Sequence, residues 1–125
     1  MLSDRRLRLG FRLALGACLL VVSVLAVAPL DQPPLTSHDK VNHILAFAVL
    51  AWLADGAYPG RELAVVRWGF LLVYGLMIEV VQHFLPYREF SLLDFAADVF
   101  GILCYGALSL LIRRRQRSEP FAQRR

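Results

Sequence analysis

Hydrophobic residues fill this chain in long blocks, and the polar residues fall at block ends or recur at helical spacing within them. A basic opening with Arg5, Arg6, Arg8 and Arg12 leads into residues 13–30, eighteen positions without a charge. That is about the length that crosses a bilayer, so a first helix is predicted over about residues 10–30. A cleaved secretory signal is the competing reading, since Ala26-Val27-Ala28 has the small-residue pattern of a cleavage site. It ranks second because the apolar run exceeds the usual signal core and Pro29 would follow the cut directly. Pro33 and Pro34 make residues 30–38 a loop. Asp39 then reads as the N-cap or first-turn acid of a second helix over about 40–54. This span is short for a crossing, and it crosses only if protein shelters its polar start.

The stretch from Asp55 to Glu62 carries turn residues. A third helix is predicted over about 63–85, with Arg67 and Trp68 as interfacial anchors and Pro86 as its stop. Ser91 is the expected N-cap of a fourth helix over about 91–112, and the tail 113–125 reads as disordered. The expected fold is therefore all-α, a single-domain integral membrane four-helix bundle.

Composition supports the membrane reading, because 58% of the 125 residues are hydrophobic, too many for a soluble fold of this size. The net charge of +4 lies at the chain ends rather than along one aromatic-studded face. Nucleic acid is therefore excluded as a partner. Twelve basic residues fall at the N-terminus, in the loop with Arg61 and Arg67, and at the C-terminus; only Lys40 and Arg88 fall in the other two loops. That asymmetry predicts cytoplasmic N and C termini, with the Pro86 hairpin on the extracytoplasmic side. Cys18 and Cys104 each sit in an apolar run and read as packing thiols rather than a disulfide or zinc pair.

The candidate chemistry lies in polar faces repeated at i, i+4 spacing. Asp39, Asn42 and His43 share one face, as do Glu79, Gln82 and His83, and so do Asp94 and Asp98. The predicted topology brings all three faces to one depth, where with Arg88 they are expected to converge on an outward-facing pocket, since lipid would leave them unsatisfied. A hydrogen-bonded packing network is the plainer alternative. His43, Glu79 and Asp94 are the candidate catalytic residues, and Asp39, Lys40, Gln82, Arg88 and Asp98 the candidate ligand contacts. Arg88 is singled out for phosphate, because a fixed guanidinium beside a membrane suits that group. His43, Glu79, His83, Asp94 and Asp98 are the donors if a metal is present, of the N and O type that holds Zn or Mn. Glu79-x-x-x-His83 alone is a weak signature, and the sequence assigns no metal. Ser91 reads as a cap rather than a nucleophile.

Three stretches together carry a resemblance: Asp39-Lys40-x-x-His43 with Phe47 behind it, Glu79-x-x-Gln82-x-Phe84-Leu85-Pro86-x-Arg88, and Phe90-Ser91-x-x-Asp94-x-x-x-Asp98-x-x-Gly101. In this order, over about residues 36–106, the chain resembles the VanZ-like family of small bacterial integral membrane proteins. Asp98 stands where that family usually carries Asn. The resemblance implies a multi-helix protein of the bacterial cytoplasmic membrane, from a family named for teicoplanin resistance at the cell envelope. Glycopeptide resistance is not a property of all its members and is not transferred to this chain. The resulting expectation is a pocket that binds or processes an anionic envelope lipid or a lipid-linked cell-wall precursor. The alternatives are a non-catalytic interaction subunit of an envelope complex and a metal-dependent membrane hydrolase or transferase.

Overall fold

A computed structural model describes residues 2–29 and 37–122, the side chains at 2, 37–39 and 119–122 excepted. Among the described residues there are four helices and no strand: α1 (Leu2–Val27), α2 (Ser37–Ala57), α3 (Ala64–His83) and α4 (Leu92–Ala122). Most of the predicted loop 30–38 lies outside the described residues.

The outer ends of α1 and α4 run beyond the sequence expectation, whereas α1 stops at Val27 and α3 at His83, short of about 30 and 85. α1 starts at Leu2 rather than near residue 10, with Asp4 in its first turn where the helix dipole favours an acid. α4 runs on to Ala122, through the arginines expected to begin a disordered tail. Adding a turn of good helix formers such as Arg and Gln to an existing helix incurs no nucleation cost, so both helices propagate past their apolar blocks. Ser91 caps α4 as expected: the Asp94 N–H donates to Ser91 Oγ at 3.3 Å.

Three helices, over Ser3–Val27, Ala64–His83 and Leu92–Ser118, are long and apolar enough to cross a membrane. Among the described residues α2 is not in this set, since its apolar run is short and its start is polar, as the sequence expectation of a short, sheltered second crossing has it. α2 is also the helix the others enclose, packing most extensively on α4 and next on α1. Phe47, Leu50, Ala51, Leu53, Ala54 and Ala57 of α2 form the centre of the buried core, joined by Leu71 and Ile78 of α3 and Ile102 of α4. Outward-facing Leu13, Leu20, Val65, Val73, Phe100 and Leu103 leave the bundle surface apolar, as a lipid solvent requires. Lipid is as apolar as leucine, so close fit rather than transfer from water holds such a core.

That fit is tightest where α2 crosses α4. A Cβ on Gly101 would stand 2.3 Å from the Ile44 carbonyl oxygen and 3.2 Å from the Ala48 nitrogen. Only glycine lets the two backbones approach this closely.

Side-chain pairings define the directions. Arg12 Nε donates to the Ala57 carbonyl, joining the start of α1 to the end of α2. His43 meets Asp98 near the starts of α2 and α4, while Asp55 meets Arg113 further along both. α1 and α3 therefore run one way and α2 and α4 the other, with a polar layer at each end of the core.

Candidate functional site

One polar layer is built from three helices. α2 contributes His43, α3 contributes Glu79 and α4 contributes Asp98; one donor atom from each lies within 4.8 Å of the others. His43 Nδ1 and Asp98 Oδ1 are 2.7 Å apart. Glu79 is reached from the other side by the Ser91 backbone N–H, which donates to Oε2 at 3.1 Å. Ser91 thus has two roles, capping α4 through its side chain and holding Glu79 through its amide.

Glu79 is 0% and Asp98 1% exposed, whereas the His43 side chain is 18% exposed and forms the accessible edge. Two carboxylate oxygens in this buried space, Glu79 Oε1 and Asp98 Oδ2, have no hydrogen-bond partner among the described residues. A buried, unpaired carboxylate oxygen is expensive, and two that share a site compound the cost. Glycine makes the room: a Cβ on Gly75 would stand 3.0 Å from Asp98 Oδ2 and 3.2 Å from the Phe47 ring. Two carboxylates, each with an oxygen that lacks a partner among the described residues, beside an imidazole form a cation site or a shared-proton site, and the N, O, O donor set suits Zn or Mn.

The remaining sequence candidates separate from this centre. Asp94 lies half-buried, close enough to interact with Glu79 and Asp98 through charge. The metal-capable trio contains Asp98, which the sequence reading placed among the ligand contacts, and not Asp94. Gln82 is buried but turned toward α1, where Nε2 donates to the Ala26 carbonyl at 3.0 Å. Arg88 donates through Nη2 to the carbonyls of Leu25 and Ala28, at 3.1 and 3.2 Å. The Tyr87 hydroxyl donates to the Val27 carbonyl at 2.6 Å. Gln82, Tyr87 and Arg88 together satisfy the carbonyls that the last turn of any helix leaves unpaired, and the guanidinium adds a favourable charge at the dipole's negative end. His83 is exposed and packs edge-on against Phe84 and Phe90. Lys40 and Asn42 are exposed, and the Asp39 side chain lies outside the described residues. The single convergent pocket expected from the sequence is thus divided into a buried His43–Glu79–Asp98 centre and a cap on α1.

A second polar cluster, at the opposite end, went unnoticed in the sequence. Asp55 Oδ1 is 3.0 Å from Arg67 Nη2, and Asp55 Oδ2 accepts from the Tyr105 hydroxyl at 2.7 Å and from Arg113 Nη2 at 3.0 Å. Arg67 also donates through Nη1 to the carbonyls of Tyr58 and Gly60. The available signal was a pair of opposite charges flanking the short turn between two apolar blocks. The sequence reading puts Asp55 in the turn and Arg67, with Trp68, at the membrane interface, and does not pair them.

No family model and no solved structure matches the chain. An uncharacterized protein of the fission yeast Schizosaccharomyces pombe is 32% identical over 118 residues, covering 90% of this chain and 70% of that protein. These findings overturn the VanZ-like assignment: no model of any family supports it, and the relative found is eukaryotic. The bacterial membrane, the cell-wall precursor and the resistance phenotype rested on that resemblance and go with it. Polar residues at i, i+4 also suit a buried polar layer in a helical membrane bundle, so that part of the pattern does not by itself mark one family.

Proposed function

The chain belongs to one family with that fission-yeast protein, a kinship that brings no activity with it, and we propose that it is an integral membrane protein whose His43–Glu79–Asp98 centre binds a divalent transition-metal ion. The ion would serve hydrolysis or group transfer on a lipid substrate. The observation behind this reading is the pair of buried oxygens, Glu79 Oε1 and Asp98 Oδ2, left without partners beside an imidazole. A cation compensates both at once, taking the place of the proton that joins His43 to Asp98.

His43, Glu79 and Asp98 would hold the ion, which would supply Lewis acidity and lower the pKa of a water it binds, as in hydrolytic metal sites with three protein donors. The Ser91 amide holds Glu79 in orientation, as outer hydrogen bonds do for metal ligands. Asp94, half-buried and nearby, is placed to accept a proton from the reacting water. The excess of basic residues at the other end of the bundle supports a cytoplasmic location for that end, with the His43 centre toward the opposite leaflet.

A second reading is favoured by the 2.7 Å His43–Asp98 pair and the Ser91–Glu79 bond. In this version the centre is a purely structural clasp of α2, α3 and α4. Elemental analysis of the detergent-purified protein after zinc or manganese loading and dialysis separates the two. The metal reading expects about one ion per chain, lost in His43→Ala and in Glu79→Gln. No retained ion in a folded wild type leaves the clasp.

A further inference from the structure

The opposite end of the bundle holds a cleft of about 820 Å³ between the start of α3 and the second half of α4. Five arginines line it, Arg61, Arg67, Arg113, Arg114 and Arg117, against a single acid, Asp55. That acid is already engaged by Arg67 and Arg113. Arg61, Arg114 and Arg117 are exposed and form no ion pair among the described residues. Arg67 is 7% exposed, yet its Nε–H lacks a hydrogen-bond partner there. The cleft thus holds unneutralised positive charge and a buried donor with nothing to donate to.

Its remaining walls are apolar. Trp68 of α3 and Ile102, Leu103 and Leu110 of α4 continue the cleft toward the middle of the bundle, and the small Gly106 and Ala107 keep it open. Cations at one end of a hydrophobic furrow match a phosphate with an acyl chain attached.

We propose that this cleft is a binding site for an anionic phospholipid, the phosphate held by Arg61, Arg114, Arg117 and Arg67 Nε–H, with an acyl chain lying along Trp68 and Leu103. Guanidinium forks suit phosphate oxygens, and basic pockets between membrane helices select acidic head groups. A pyrophosphate or other soluble phosphate would satisfy the arginines but not the apolar furrow. The inference depends on the membrane reading and not on the metal centre at the far end.

The test uses the full chain, purified in detergent and titrated with phosphatidylglycerol or phosphatidylcholine, with native mass spectrometry counting bound lipid. Wild type is expected to retain phosphatidylglycerol over phosphatidylcholine. Arg114→Gln with Arg117→Gln, two exposed positions whose loss leaves the fold intact, is expected to weaken phosphatidylglycerol binding about tenfold or more. Arg5→Gln with Arg8→Gln on α1 removes equal charge outside the cleft and is expected to leave binding unchanged. Equal loss in both double variants, or loss in neither, overturns the site. Inorganic phosphate or pyrophosphate displacing the lipid at equal concentration would make it a soluble-phosphate site and overturn the lipid assignment.

Discussion

His43 Nδ1 and Asp98 Oδ1 stand 2.7 Å apart although 55 residues separate them in the chain, and Glu79 reaches the same space from a third helix. Asp98 and Glu79 bring two buried carboxyl groups to one imidazole, and an oxygen of each has no hydrogen-bond partner among the described residues. Removing one carboxylate should therefore help a metal-free protein. Glu79→Gln is expected to raise the thermal midpoint of the metal-free form, or leave it unchanged, while abolishing metal retention. Asp98→Ala, which removes the 2.7 Å contact with His43 and leaves a gap beside Gly75, should cost about 1–3 kcal/mol. Thermal unfolding of both variants with and without added zinc checks this.

Gly101→Ala should be among the most damaging small substitutions in the chain. Its methyl would press on the Ile44 carbonyl, which is backbone and cannot swing aside. Separating α2 from α4 is expected to cost about 1–3 kcal/mol or more, read as a loss of detergent-solubilised, monodisperse protein on heating. Gly75→Ala meets the Asp98 carboxylate and the Phe47 ring instead. It should impair metal retention more than folding.

Arg88→Ala discriminates sharply between the sequence expectation and the arrangement seen here. If Arg88 caps α1, the variant loosens α1 and increases proteolysis near residues 25–29, while metal content stays at the wild-type level. Tyr87→Phe should have the same effect in weaker form, because it removes one hydrogen bond to Val27, typically about 1 kcal/mol.

Arg67→Ala should be severe at the other end. It leaves Asp55 with less compensation and deprives the Tyr58 and Gly60 carbonyls of their donor. Breaking a buried pair from one side costs about 3–5 kcal/mol. Arg67→Lys should not restore stability, since one ammonium cannot reproduce a fork that reaches a carboxylate and two carbonyls. Thermal stability in detergent distinguishes the two variants.

Single-cysteine labelling tests the sidedness. With Cys18 and Cys104 replaced, a cysteine at Glu89 is expected to react with an impermeant thiol reagent from the side opposite one at Arg61. Reaction of both from the same side would refute the arrangement of α3 across the membrane.

The chain alone determined the helices, their order and the spacing of polar residues along each one. These are local matters: prolines stop helices, charge-free runs of about eighteen residues make spans, and i, i+4 spacing puts His43 in line with Phe47, and Glu79 with Gly75. It did not determine which polar face meets which. Gln82 lies one turn from Glu79, yet Glu79 turns toward His43 and Asp98 while Gln82 turns toward α1. Likewise Asp98, rather than the equally plausible Asp94, completes the trio. Rotation of one helix against another decides such choices. The close approach of α2 and α4 at Gly101 is one such fit, between two backbones, that no stretch of either helix encodes by itself.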